Sequence, residues 1–157
     1  SPDCGTCPLS GRCLALAAGT VGCRPVKRGK TPPRDRWFNY LHITSRDQTV
    51  VCRRGAGDIW QGLYEFPLLE TDAVTDFLTL TRDPRFEAWL GSVPWRLLGS
   101  VTLPKHQLSH QTIHAVFHRI ETPHLTPAAA STAVPSDTLG DYAISRLLER
   151  YLMSNQR

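Results

Sequence analysis

The chain has 157 residues, 41% of them apolar, enough for one packed domain with a short appendage and too many for a disordered tract. Its 18 Lys and Arg exceed 14 Asp and Glu, for a formal charge of +4 and a pI near 9.0, a balance that admits a polyanionic partner without requiring one. The longest apolar run, near Leu14 to Ala18, falls far short of the roughly 18 residues a membrane span needs. The start Ser1-Pro2-Asp3-Cys4 shows no basic leader and no apolar signal core; it reads as a cut through a longer polypeptide.

Three of the five cysteines cluster as Cys4, Cys7 and Cys13. Thiolates two residues apart can turn both sulfurs toward one metal centre. An odd cysteine count without an export signal argues against a disulfide framework. Three ligands are one short of a closed four-cysteine site. The fourth lies before Ser1 or is Cys23, and spacing alone leaves zinc and iron–sulfur both open. Cys52, in the run Thr49 to Arg54, reads as a strand residue packed like a small hydrophobe.

The next segment holds the charge. Arg24, Lys27, Arg28, Lys30, Arg34 and Arg36 are a third of all basic residues, opposed only by Asp35. With its prolines and glycines the segment reads as a basic linker. Neutralised phosphates release counterions, so such a linker can also lie along DNA, and Lys27, Arg28, Lys30 and Arg34 are the candidate phosphate contacts.

After Pro32-Pro33 the texture changes to short strands. Arg36 to Ile43 is aromatic and β-branched, Thr49 to Arg54 follows the turn Ser45 to Gln48, and the two predict a hairpin. Gly55 to Asp58 is a loop. Ala73, Val74, Phe77, Leu78 and Leu80 predict a helix over Asp72 to Leu80. Strands are expected from about Trp95 to Leu103 and from Thr112 to Ile120. In the latter, Ile113, Ala115 and Phe117 share one face, while His114 and His118 take the other. The histidines at 106, 110, 114 and 118 recur every fourth residue, which on a helix would suggest a metal face; on a strand they are expected to be exposed and without metal. Trp60, Trp89 and Trp95 are read as core or interface, with Trp60 near enough to a loop to face DNA. Ile144, Leu147, Leu148, Tyr151 and Leu152 form the stripe of a closing helix with Asp141 near its start. Strands with two helices predict an α+β domain.

The most distinctive string is Ile59-Trp60-Gln61-Gly62-Leu63-Tyr64-Glu65-Phe66-Pro67. It resembles the Trp-x-Gly-Leu-Trp-Glu-Phe-Pro string in the Nudix-like carboxy-terminal domain of MutY-type adenine DNA glycosylases, with Tyr64 replacing the second Trp. The cysteine run is similar to the end of that family's iron–sulfur motif, Cys-x6-Cys-x2-Cys-x5-Cys, whose last three ligands fall on Cys4, Cys7 and Cys13. Endonuclease III-type glycosylases share the cysteine spacing but not the second domain. The resemblance implies an α+β, Nudix-like mixed β-sheet with flanking helices, preceded by a short helical iron–sulfur tail. Residues 1–20 would be a remnant of the cluster region, 21–34 a basic interdomain linker, and 35–157 the lesion-recognition domain. It implies a 4Fe-4S cluster in the parent protein, incomplete here because its first ligand would precede Ser1.

The implied reaction of the parent enzyme is hydrolysis of the N-glycosidic bond of adenine mispaired with 8-oxoguanine or guanine, with the adenine flipped out of the stack. A general acid and a carboxylate in a helical amino-terminal domain would do that chemistry. No residue of this chain is given a catalytic role, and the fragment is expected to excise nothing. Its partners would be duplex DNA carrying the 8-oxoguanine:adenine mispair and its own amino-terminal catalytic domain, in a monomer of the bacterial cytoplasm, with no membrane.

In the family a Phe-Ser-His loop contacts 8-oxoguanine; here the matching residues are Leu108, Ser109 and His110. Oxidation turns N7 of guanine into a donor and adds a carbonyl acceptor at C8. A serine hydroxyl can both donate and accept, so Ser109 can address either group. Leu108 keeps an apolar wedge without stacking, and His110 would contact phosphate or brace the loop. The bland alternative for Ser109 is a turn hydroxyl bonded to its own backbone. Two rival functions remain. A Nudix pyrophosphatase needs Gly-x5-Glu-x7-Arg-Glu-x2-Glu-Glu to hold magnesium, whereas Glu65, Glu70, Asp72 and Asp76 are scattered. A small cysteine-based metal-binding interaction module is the other.

Overall fold

The computed structural model describes residues 2–26, 32–128 and 131–155. The chain divides into two compact units, Ser1–Pro32 and Pro33–Arg157. Among its described residues the first contains only single helical turns, at Ser10–Arg12, at Leu14–Ala17 (α1) and at Val21–Cys23. None of its described residues is fully buried, and Leu14 is 85% exposed. Lys27, Arg28 and Lys30 lie outside the described residues.

The second unit is built on one mixed eight-stranded sheet. Its strands are β1 (Arg34–Ser45), β2 (Gln48–Arg53), β3 (Tyr64–Glu65), β4 (Leu68–Thr71), β5 (Arg96–Thr102), β6 (His106–Gln107), β7 (Gln111–Glu121) and β8 (Ser131–Pro135). The spatial order is β3-β2-β1-β7-β5, with β4 on β1, β6 on β7 and β8 on β2. Strands β1 and β7 run parallel, in register from Arg34 opposite Gln111 to Thr44 opposite Glu121. A parallel pair must be covered on both faces, and here both are. Phe38, Tyr40, Ala115 and Phe117 bury one face against Leu147, Leu148 and Tyr151 of the closing helix α4 (Arg146–Asn155). Leu41, Ile43 and Ile120 bury the other under Leu80, Phe86 and Leu90 of α2 (Phe77–Leu80) and α3 (Pro84–Leu90).

Several expectations change. The helix expected over Asp72 to Leu80 shrinks to its last turn: Asp76 caps it by accepting from the Thr79 amide at 3.0 Å, and Val74 is 86% exposed. A second helix follows, α3, signalled by Asp83-Pro84; the Asp83 carboxylate accepts from the Arg85 amide at 2.8 Å and proline sits in the first turn. The closing helix is capped by Ser145, whose Oγ accepts from the Leu148 amide at 3.3 Å, while Asp141 ends the preceding 3-10 turn. The short strands β3, β4, β6 and β8 carry too few residues to show a period. Because both sheet faces are covered, His118 is not an exposed strand histidine. It is 3% exposed, lies against Phe77, and shares a 2.8 Å hydrogen bond with Ser100 Oγ.

Candidate nucleic-acid interface

Strand alternation places Arg36 on the same face as Phe38 and Tyr40, inward, so it does not belong to the basic linker with which it was grouped. Its guanidinium is 8% exposed and bidentate to Asp58 (Nη1–Oδ1 and Nη2–Oδ2, both 2.7 Å). It also reaches Glu70 (Nε–Oε1 2.7 Å, Nη2–Oε2 2.5 Å) and donates from Nη1 to Gln111 Oε1 at 2.9 Å. Beside it Arg54 donates to both Glu65 oxygens at 2.8 Å and to Asp58 Oδ2 at 2.6 Å. Both guanidinium carbons sit over the Phe38 ring, 4.8 and 5.3 Å from its centroid. Tyr40 donates its hydroxyl to Glu65 Oε2 at 3.1 Å.

Charge-assisted bonds of this density offset the desolvation of buried ions. Bonds to Glu70 and Asp58 hold Arg36 above its usual range, and Arg36 holds the Asp58 carboxyl well below the usual carboxylate range. Burial pushes the Glu65 carboxyl up, with Arg54 opposing. The consequence is chemical: Glu65 and Glu70, two of the four acids a magnesium site would draw on, are committed to arginines. Asp76 is committed to the cap of α2.

The network ends on the turn that carries Ser109. Leu108 N–H donates to Gln111 O at 2.8 Å, which closes a hairpin with Ser109 and His110 at its tip. Thr112 Oγ1 donates to Gln107 Oε1 at 3.2 Å, and the Arg34 amide donates to His110 O at 3.0 Å. Ser109 and His110 are exposed. Among the described residues the Ser109 hydroxyl makes no hydrogen bond, so it is not tied to its own backbone. Leu108 is half-buried and packs against the α4-side core, which leaves less of it to act as a wedge. Arg34 is the exposed first residue of β1 rather than part of a linker, and Lys105 is exposed before β6. Trp60 is braced edge-on against Phe38 (6.3 Å) and His106 (5.6 Å), half-buried instead of facing outward.

A cavity of about 350 Å³ is lined by Trp37, Asn39, Thr75, Lys105 and His114, among others. His114 stacks on Trp37 at 5.1 Å and its Nε2 lies 2.6 Å from Asp35 Oδ1. Cys4, Cys7 and Cys13 are half-buried free thiols and Cys23 is exposed. Among the described residues no three His, Cys, Asp or Glu side chains gather closely enough to hold a metal ion. Burial pushes the Cys52 thiol up to about 12, consistent with a packed strand residue. Arg36, Asp58 and Gln111 were missed as site residues; the parity of 36 with 38 and 40 is the signal that marks Arg36 as inward.

The family model for the NUDIX domain matches residues 39–154. The chain belongs to the NUDIX domain family. Among solved structures, this NUDIX domain is similar to the C-terminal domain of mouse MUTYH, crystallised in complex with human PCNA (TM-score 0.57, 12% identity, 78% of this chain and 88% of that one). It is also similar to the MutT protein of Methanosarcina mazei Go1 (0.53, 13%, 81% and 99%) and to the Nudix hydrolase RenU of M. smegmatis (0.52, 10%, 80% and 88%). At such identities these likenesses speak to fold alone. No curated protein matches the sequence. Among the described residues no helix is long and apolar enough to cross a membrane.

Proposed function

We propose that this NUDIX domain is the 8-oxoguanine-recognition portion of a MutY-type adenine DNA glycosylase, and that it binds duplex DNA without hydrolysing nucleotides. The observation that carries the reading is the Ser109 hydroxyl, exposed at a hairpin tip beside His110 and the exposed Arg34. A group that can donate and accept suits a purine whose Hoogsteen edge has exchanged an acceptor for a donor and gained a carbonyl. The string Trp60 to Pro67 and the cysteine spacing support the same family, and the likeness to the MUTYH domain is consistent with it. The ion pairs of Glu65 and Glu70 speak against the pyrophosphatase alternative, because a guanidinium-bound carboxylate is a poor magnesium ligand. In this reading Cys4, Cys7 and Cys13 belong to the cluster region, and Lys27, Arg28, Lys30 and Arg34 neutralise phosphates. The excision chemistry is assigned to no residue of this chain.

The test compares duplexes that differ only in 8-oxoguanine or guanine opposite adenine, at one fixed salt concentration. Tighter binding of the oxidised duplex is expected; equal binding contradicts the reading. A parallel assay of nucleoside triphosphates with magnesium is expected to give no turnover.

A further inference from the structure

The Ser109 turn is tied to the buried charge network through one side chain, and that tie assigns a role to a residue outside the turn. Gln111 is the first residue of β7, directly after His110, and its backbone carbonyl closes the hairpin. Its side-chain Oε1 accepts from Arg36 Nη1 at 2.9 Å, and that guanidinium cannot drift because Asp58 and Glu70 hold its other donors. Asp58 in turn is fixed by Arg54 and accepts from the Ile59 amide at 2.7 Å, which secures the loop preceding Trp60. Trp60 stands at φ 59° and meets the His106 ring on the adjoining strand of the same hairpin. His106 on one arm of the hairpin and Gln111 on the other are thus both linked to one ion network.

Resting on the reading above, we infer that Gln111 is a positioning residue for lesion discrimination: through Arg36 it fixes where the hairpin tip holds the Ser109 hydroxyl. A hydrogen bond to a base edge tolerates only a few tenths of an ångström, so a tip released from its anchor keeps its hydroxyl but loses its aim. Phosphate contacts set overall affinity and do not need that aim.

The experiment uses the whole 157-residue chain and reads the ratio of affinities for 8-oxoguanine and guanine duplexes. Gln111→Ala is expected to lower the ratio about tenfold while affinity for the guanine duplex stays within about twofold. Gln111→Glu, which offers Arg36 an oxygen at the same place, is expected to restore the ratio. In a Ser109→Ala background, Gln111→Ala is expected to change nothing further, because the two act as one unit. A wild-type ratio above one that survives Gln111→Ala overturns the inference and leaves the lesion-reading function standing. So does a loss that Gln111→Glu fails to rescue, or one that persists unchanged on top of Ser109→Ala. A wild-type ratio of one overturns the function itself, and the inference with it.

Discussion

Arg34 and Arg36 are two residues apart on one strand and have opposite fates, because strand side chains alternate between faces. Arg34 is exposed beside the Ser109 turn, whereas Arg36 is buried and paired with two partly exposed carboxylates. Composition counts both as basic, and only one can meet a phosphate. Arg34→Ala is therefore expected to weaken both oxidised and normal duplexes by the same factor and to reduce the slope of log affinity against log salt by about 0.9. A changed ratio between the duplexes would show that Arg34 reads the base. The difference between the two arginines was partly legible: the parity of Arg36 with Phe38 and Tyr40 points it inward. Its partners Asp58, Glu70 and Gln111 stand 22, 34 and 75 residues away, and no local pattern connects them.

Elements with a long period could be read from sequence, and elements fixed by capping or by tertiary contact could not. Ile113, Ala115 and Phe117 mark β7 because all three lie in the apolar core on one face of that strand. The same logic failed for His118, since the opposite face is covered by Phe77, a contact between residues far apart in the chain. Apolar spacing over Asp72 to Leu80 suggested one helix, yet Val74 and Leu78 are exposed and the chain resolves into two short helices, each started by an aspartate. A seven-residue helix has little cooperativity of its own, so its cap should matter. Asp83→Ala is expected to cost about 1 kcal/mol, read as a lower midpoint in urea with an unchanged slope. No shift would mean that burial of Phe86 and Leu90 holds α3 unaided.

Over the whole molecule, two histidines couple the fold to pH. His42 stacks on Phe66 at 4.3 Å with Nδ1 2.8 Å from the Tyr151 hydroxyl, and His118 lies under Phe77. Burial lowers both from 6.5 to about 4. The folded state therefore keeps them neutral while the unfolded chain takes up protons first. Stability is complete above pH 6.5, falls as pH drops from 6.5 toward 4, and levels off below. Each group can contribute at most about 3 kcal/mol at about 1.4 kcal/mol per pH unit, a large share of the roughly 5–15 kcal/mol that holds a domain together. Thermal midpoints measured from pH 7 to 4 are expected to fall steeply across that window, and His118→Asn should flatten the slope. A midpoint independent of pH there would mean that these rings are hydrated in the fold.

Whether the Ser109 hydroxyl reads the oxidised purine is measured most directly by the affinity ratio for 8-oxoguanine and guanine duplexes in wild type and in Ser109→Ala. Removal of one oxygen from an exposed tip leaves the core untouched, so a lower ratio cannot be blamed on unfolding. The predicted result is a ratio reduced about tenfold or more, the worth of one base-edge contact, with the guanine duplex bound as before. An unchanged ratio would contradict it.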